Sequence, residues 1–269
     1  MNGVAVPFVE ILVALPVFAL VLFRVSGLVL TAPIYGSKVV PVRIRVALTL
    51  AATAMIFPMV KAQAPGDLSL SLAVVGAMGE LMIGVTIGLA VSILLMSAEV
   101  AGEMVSQQAG ISLSEVINPL LDEQSSIIGQ IYVIVLSLLF LLAGGHRAVM
   151  AALLDTFIVI PLLSFRPGES IVVLFVEMLS SAFIVGIRLA APVLIALFLS
   201  GTALGFLSRT MPQLNILSVG FTLRALITLS VAAIALGACQ GLLLDAVWDG
   251  LDVIRASFGL APGRWIGGH

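Results

Sequence analysis

Long hydrophobic runs dominate the chain, and short polar stretches separate them. Seven apolar segments can be drawn, and their lengths in a chain with so few charges are typical of membrane-embedded helices. Some are shorter and some longer than the roughly 20 residues of one straight crossing, so hairpins, kinked helices or segments packed on protein are expected. The segments are Ile11–Leu30, Val46–Val60, Leu68–Ala98, Ile127–Ala143, Ala148–Leu163, Ile171–Leu207 and Ile216–Trp248.

One long polar interruption, Ser97–Gln124, breaks this pattern. It holds five of the fourteen acidic residues, and no Lys or Arg occurs from Ala62 to His146. A polar stripe beside membrane segments must face water, a partner or a pore, because lipid cannot solvate it. Two interpretations stay open: a solvated connector between hairpins, or a loop that folds back to close a channel. Read as a helix, the interruption begins with a stripe of Glu99, Glu103, Ser106, Gln107 and Gly110.

A stripe of glycines marks the third apolar segment. Gly76, Gly84 and Gly88 lie on one helical face together with Glu80. Small residues at this spacing let helix backbones approach closely in a membrane, so the segment is predicted to pack on another helix, in this chain or in another subunit. Glu80 is interpreted as hydrogen-bonded at that interface, with a functional intramembrane acid as the alternative.

Three arginines, Arg24, Arg188 and Arg224, lie inside apolar segments. An unpaired buried arginine is costly, so their partners are expected elsewhere in the chain, in another subunit or at lipid headgroups. Arg188 and Arg224 fall in the two arms of a long C-terminal hairpin. Its turn is predicted at Met211–Asn215, where proline ends one helix and asparagine caps the next.

Composition supports a polytopic helical membrane protein. The chain is 61% hydrophobic and 10% charged, with a mean hydropathy of +1.26, whereas soluble domains carry roughly a quarter charged residues. A net charge of -2 gives no reason to expect nucleic acid as a partner. The single cysteine, Cys239, excludes an internal disulfide framework and a cysteine-based metal cluster.

The charged residues between segments indicate an orientation. Lys38, Arg43 and Arg45 follow the first segment and favour the cytoplasmic side. Alternation through all seven segments then places the N-terminus outside and the C-terminus inside. No basic region precedes the first apolar run, so that run is expected to be retained rather than cleaved as a signal peptide.

No catalytic motif, cofactor-binding motif or metal-ligand set is found. The sequence has no glycine-rich phosphate loop, no HExxH and no GxSxG, and it has only two histidines. Glu80, Asp155 and Glu177 lie in or beside apolar runs and keep an ion-coupled membrane transporter open as the alternative function. A membrane enzyme would require a polar cluster that the sequence does not show.

Four stretches, in chain order, resemble the FliR/SctT family of type III secretion export-gate proteins. The QQAG…NP and PQLNILSVGF stretches favour the flagellar branch of the family over the virulence branch. The stretches are FRVSGLVLTAPIYGSKVVPVRIRVALTLA (Phe23–Ala51), EVAGEMVSQQAGISLSEVINP (Glu99–Pro119), GGHRAVMAALLDTFIVIP (Gly144–Pro161) and MPQLNILSVGFTLR (Met211–Arg224).

The resemblance implies an all-α membrane protein of long kinked helical hairpins. Residues 1–269 would form one FliR-like unit, with a FliP-like part at about 1–165, a FliQ-like hairpin at about 170–250 and a tail at 251–269. It implies a non-enzymatic component of the flagellar export gate in the bacterial inner membrane, at the flagellar basal body. Implied partners are FliP-, FliQ- and FlhB-like subunits, exported flagellar proteins and membrane lipid.

The resemblance also implies that the polar loop plugs the export pore. The plug would span Val105–Gln124, and the sequence departs from the family pattern in having an acid-rich plug. Its marked positions would be Gln107, Gln108, Gly110, Asn118 and Pro119. Helix packing or an interface is predicted at Gly76, Glu80, Gly84, Gly88, Arg188 and Arg224.

Overall fold

A computed structural model of the chain describes residues 5–33, 35–36, 40–60, 70–110, 126–165, 168–211 and 216–261. Eight helices and no β-strand occur in this described part, so the prediction of an all-α membrane protein is confirmed. The helices are α1 (Ala5–Thr31), α2 (Val42–Val60), α3 (Leu70–Ala109), α4 (Ile127–Leu142), α5 (Gly145–Val159), α6 (Glu169–Thr210), α7 (Ile216–Ala238) and α8 (Gln240–Ser257).

Four helices in the described ranges are long and apolar enough to cross a membrane. They are α2 and the segments Gly76–Ala109, Ile171–Thr210 and Ser218–Ala238. Helices α4 and α5, which meet at 64°, are apolar enough to make a fifth candidate if the pair is counted as one span. The predicted segments Ile127–Ala143 and Ala148–Leu163 correspond to this bent pair.

The bend between α4 and α5 occurs at a glycine in the left-handed region. Gly144 has φ +80°, which glycine adopts readily because it has no Cβ. Helix α4 starts at a serine cap, since the Ser126 hydroxyl accepts a hydrogen bond from Gly129 N at 2.9 Å. Local sequence thus sets both ends of this helix.

Helix α3 continues from the apolar segment into the polar interruption and ends at Ala109. Gly110 then takes φ +79°, and its N–H donates to Ser106 O at 3.1 Å, which is a glycine C-cap. Residues 111–125 lie outside the described residues, and so do residues 212–215 of the predicted hairpin turn. The helices on either side of that turn end at Thr210 and begin at Ile216.

The last predicted apolar segment, Ile216–Trp248, is not one helix. It divides at Cys239 into α7 and α8. The reason is a change of pattern, because α8 carries acidic residues on one side and buried apolar residues on the other. The acids are Asp245, Asp249 and Asp252, and the buried residues are Leu243, Val247, Leu251 and Ile254.

The chain forms two compact units. Unit 1 comprises Met1–Ile93, Gly144–Met178 and Trp248–His269. Within unit 1, the Tyr35 hydroxyl donates to His146 O at 3.0 Å, and burial raises the pKa of this phenol above its usual value. The hydroxyl therefore stays protonated and fixes the residues after α1 to the start of α5.

Unit 2 comprises Leu94–Ala143 and Leu179–Val247, and glycines let its helices approach closely. A Cβ at Gly102 of α3 would overlap the backbone of Gly129 on α4. A Cβ at Gly186 of α6 would come within 3.0 Å of Ser97 O on α3. Both helices therefore contact α3 through backbone atoms, which is the packing that small residues permit in membranes.

We predict that Gly102→Ala destabilises unit 2. The new methyl group would overlap backbone atoms that cannot rotate away, and such overpacking costs about 1–3 kcal/mol. The matched control is Gly205→Ala on α6, where an added Cβ meets no atom within 4 Å. Thermal unfolding in mild detergent should show a lower melting temperature for Gly102→Ala alone, and equal melting temperatures for both variants would contradict the packing.

Candidate functional site

A buried ion pair joins α1 and α3 inside unit 1. Arg24 Nε donates to Glu80 Oε2 at 2.6 Å, and both side chains are fully shielded from solvent. Sequence reasoning left the partner of Arg24 open and placed Glu80 at a helix interface. The structure brings the two together across 56 residues of sequence.

Arg24 also binds α5 and the segment that follows it. Its Nη1 donates to Thr156 Oγ1 at 3.2 Å, and its Nη2 donates to Ile160 O at 3.1 Å. The guanidinium carbon lies 4.1 Å from the centroid of the Phe157 ring, a distance at which a cation is attracted to an aromatic face. Every nitrogen of the guanidinium therefore has a polar partner, as a buried arginine requires.

Glu80 uses its second oxygen to hold a turn. Oε1 accepts a hydrogen bond from Leu163 N at 3.0 Å. Leu163 has φ +68°, a left-handed conformation that is uncommon for a bulky residue and is held in place by surrounding contacts. The glutamate thus neutralises Arg24 and also stabilises the strained backbone after α5.

The glycine stripe lies against the same elements. A Cβ at Gly84 would overlap Arg24 O on α1, and a Cβ at Gly88 would overlap the Thr31 hydroxyl. A Cβ at Gly76 would overlap the Leu163 side chain. The face that sequence reasoning assigned to helix packing therefore contacts α1 and the 160–163 turn of this same chain.

The other acids of the apolar segments differ in their surroundings. Asp155 Oδ2 accepts from Arg255 Nη1 on α8 at 2.7 Å, and Asp155 is about one-third exposed. Glu177 on α6 is exposed and has no hydrogen bond or ion pair among the described residues. Glu80 is held on both oxygens and sealed from solvent, so the geometry does not favour it as the proton carrier of an ion-coupled transporter.

The residues assigned to the plug begin at the C-terminal end of α3. Gln107 and Gln108 are exposed, and Gln107 Nε2 donates to Glu103 Oε1 at 2.9 Å. Gly110 ends the helix, whereas Asn118 and Pro119 lie outside the described residues. The predicted polar stripe is exposed at Glu99 and Gln107 and half-buried at Glu103, but Ser106 within it is buried, so the exposed stripe is narrower than predicted.

The two arginines of the predicted C-terminal hairpin have no ion pair in the part of the chain that the structure describes. Arg188 is exposed on α6. Arg224 is half-buried on α7, where a Cβ at Gly201 of α6 would come within 3.7 Å of its Nη2. Cationic groups thus occur on apolar helices of unit 2 without an acidic counterpart from the described residues.

Sequence reasoning missed most of the cluster around Arg24. Thr156, Phe157 and Ile160 lie in the Gly144–Pro161 stretch but were not assigned to a site, because their contacts with Arg24 are tertiary and join residues more than 130 positions apart. The available signal for the ion pair was the small number of charged residues in the apolar segments. Arg24 and Glu80 were the lone charges in the interiors of their segments, and opposite charges in a low-dielectric interior are expected to pair.

The fold and the buried cluster define a helical integral membrane protein whose buried charges are neutralised within the chain. Comparison with known proteins narrows this class. The sequence profile described as "Bacterial export proteins, family 1" matches residues 15–249, so the chain belongs to that family. The resemblance to the FliR/SctT family is thereby confirmed.

Individual relatives agree with this assignment. The chain is 28% identical to "Flagellar biosynthetic protein FliR" of Caulobacter vibrioides over 256 residues, covering 94% of this chain and 99% of the relative. It is 29% identical to the protein of that name from Escherichia coli, covering 79% of this chain and 81% of the relative. It is 31% identical to "Yop proteins translocation protein T" of Yersinia pestis over 55% of this chain and 58% of the relative.

We predict that Glu80→Gln strongly destabilises unit 1. The substitution leaves the buried Arg24 charge without a counter-ion, and removal of one partner of such a pair costs about 3–5 kcal/mol. Glu177→Gln is the matched control, because Glu177 is exposed. Thermal unfolding in detergent should show a large loss of stability for Glu80→Gln and almost none for Glu177→Gln.

A double variant distinguishes the loss of the ion pair from a nonspecific destabilising effect of the Glu80 substitution. Arg24→Met combined with Glu80→Gln removes both charges and keeps an amide oxygen that can accept from Leu163 N. Replacing a whole buried pair is often close to neutral, so the double variant should recover much of the lost stability. A double variant less stable than Glu80→Gln alone would show that pairing is not the reason for the loss.

Proposed function

We propose that this chain is a subunit of the type III export apparatus of a bacterial flagellum, located in the inner membrane at the basal body. The observation that carries the proposal is the family match, which extends along nearly the whole chain and nearly the whole Caulobacter vibrioides relative. The family is one of export proteins and not of enzymes, which supports a non-catalytic role.

The role we propose is to complete a helical pore together with FliP-, FliQ- and FlhB-like subunits. The membrane-length helices leave much apolar surface uncovered, since only 17% of the most apolar stretch of α2 and 22% of that of α7 is buried. Lipid could cover such surfaces, but it solvates a cation poorly. Arg188, exposed on apolar helix α6, therefore supports contact with a polar or acidic group of a partner subunit.

The polar end of α3 acts, in this proposal, as the start of a pore plug. Gln107 and Gln108 present exposed amides, and Gly110 lets the chain change direction where the helix ends. The plug would continue to Gln124 and include Asn118 and Pro119. It would block the channel passively until an exported flagellar protein and the export energy open it.

Co-purification tests the proposed assembly. The tagged full-length chain, co-expressed with its bacterial FliP-, FliQ- and FlhB-like proteins, should be recovered in a large complex in mild detergent. A well-behaved monomer without these partners would contradict the pore proposal.

We predict that Arg188→Leu weakens this assembly. Loss of one member of a buried interfacial charge pair costs about 2–5 kcal/mol, so recovery of the complex should fall about tenfold or more. Arg209→Leu is the matched control, because Arg209 is also exposed on α6 but lies in its last turn. Equal recovery of the complex with the two variants would show that Arg188 does not contribute to the interface.

We predict that deletion of Ser106–Ser114 makes the assembled gate leak ions. The deletion removes Gln107, Gln108 and the Gly110 cap from the end of α3, so the plug could no longer be positioned. Ion flux through gates reconstituted in vesicles measures the effect, with Gly205→Ala gates as the control. The subunit content of each gate is checked by co-purification, and tight vesicles with a complete mutant gate would contradict the plug.

A further inference from the structure

A narrow apolar cavity lies between α1 and α2 in unit 1. Its volume is about 300 Å³, and its walls are almost entirely hydrocarbon. Helix α1 contributes Phe23, Val29 and Leu30, and helix α2 contributes Val46 and Leu50. Neither the family match nor the proposed pore assigns a role to this cavity.

The cavity opens onto a surface that suits lipid. Leu30 is 65% exposed, Val46 52% and Leu50 45%, so apolar side chains surround the opening. Helix α2 is one of the candidate membrane spans. Acyl chains of a bilayer would therefore have direct access to the space between α1 and α2.

One cationic side chain lines this apolar space. Arg45 Nε donates to Val40 O at 3.0 Å, and its Nη1 lies 3.4 Å from Gly36 O. These two carbonyls fix the side chain at the start of α2, while its Nη2 donates to no acceptor within the described residues. The guanidinium is thus held in place with hydrogen-bonding capacity left for a ligand.

The surrounding charge favours an anionic ligand. Between Glu10 and Asp67 the sequence contains five basic residues and no acid. Glu80 already neutralises Arg24, the one basic residue of this set that lies buried in α1. Arg43 is exposed in the first turn of α2, two positions before Arg45, and adds a second positive charge at this end of the helix, whose N-terminus also favours an anion.

We propose that this cavity binds an anionic phospholipid, with the phosphate on Arg45 and one acyl chain between α1 and α2. The chemistry fits at both ends, since guanidinium groups bind phosphate oxygens well and the apolar walls of the cavity suit an acyl chain. From Arg45 to Leu50 the helix advances about 7 Å, which is enough to hold the first part of an acyl chain.

Lipid retention by the full-length chain tests the proposal. The detergent-purified chain is equilibrated with vesicles of phosphatidylglycerol or phosphatidylcholine and purified again, and the retained lipid is quantified by mass spectrometry. The native chain should retain phosphatidylglycerol preferentially. Arg45→Gln should lower that preference about tenfold, because a charge-assisted contact is lost. Arg209→Gln, a change at an exposed arginine of α6, should leave the preference unchanged.

A second variant tests the cavity itself. Ser26 lines the cavity on α1, and Ser26→Phe should fill it and reduce retention of both lipids while the Arg45 charge remains. Melting temperatures confirm that each variant is folded. Equal retention by Arg45→Gln and Arg209→Gln, or unchanged retention by Ser26→Phe, would overturn the proposal. An assembled complex that retains no phosphatidylglycerol, although the isolated chain does, would show that a partner helix occupies the cavity instead.

Discussion

Unit 1 depends on one electrostatic constraint: a guanidinium that neither water nor lipid can solvate has to find every partner within the protein. Arg24 finds them on α3, on α5 and in the segment after α5. Because one side chain satisfies all of these contacts, none of the elements can shift without exposing a charge or an unpaired hydrogen-bonding group. The glycines at 27 and 84 let α1 and α3 come close enough for the pair to form.

Some features of the fold and of the buried cluster could be predicted from the sequence, and others depend on tertiary contacts. The helix class and the glycine face of α3 depend on composition and local spacing, which are visible in a sequence. The pairing of Arg24 with Glu80, and of Arg255 with Asp155, depends on which helices become neighbours. That information is tertiary, because the partners are 56 and 100 residues apart.

Two features of the helices depend on information that a local pattern does not contain. Hydropathy separates the runs of α4 and α5, but it does not give the 64° angle at which the two helices meet where Gly144 lies between them. The run Ile216–Trp248 was treated as continuous, although its last residues, from Gln240 onward, begin the amphipathic helix α8. In both cases hydropathy measured how apolar a run is, and it carried no information on where the backbone changes direction.

The length of α3 has a consequence for where its polar end stands. Its exposed apolar side chains extend from Val74 to Met96, and Glu99, Gln107 and Gln108 are the exposed polar residues that follow. The apolar stretch measures about 33 Å along the helix axis, close to the roughly 30 Å of a bilayer's hydrocarbon core. The remaining turns then carry Gln108 about 18 Å beyond the hydrocarbon when the helix stands upright. In that orientation, the length of α3 sets the distance between its exposed amides and the hydrocarbon core.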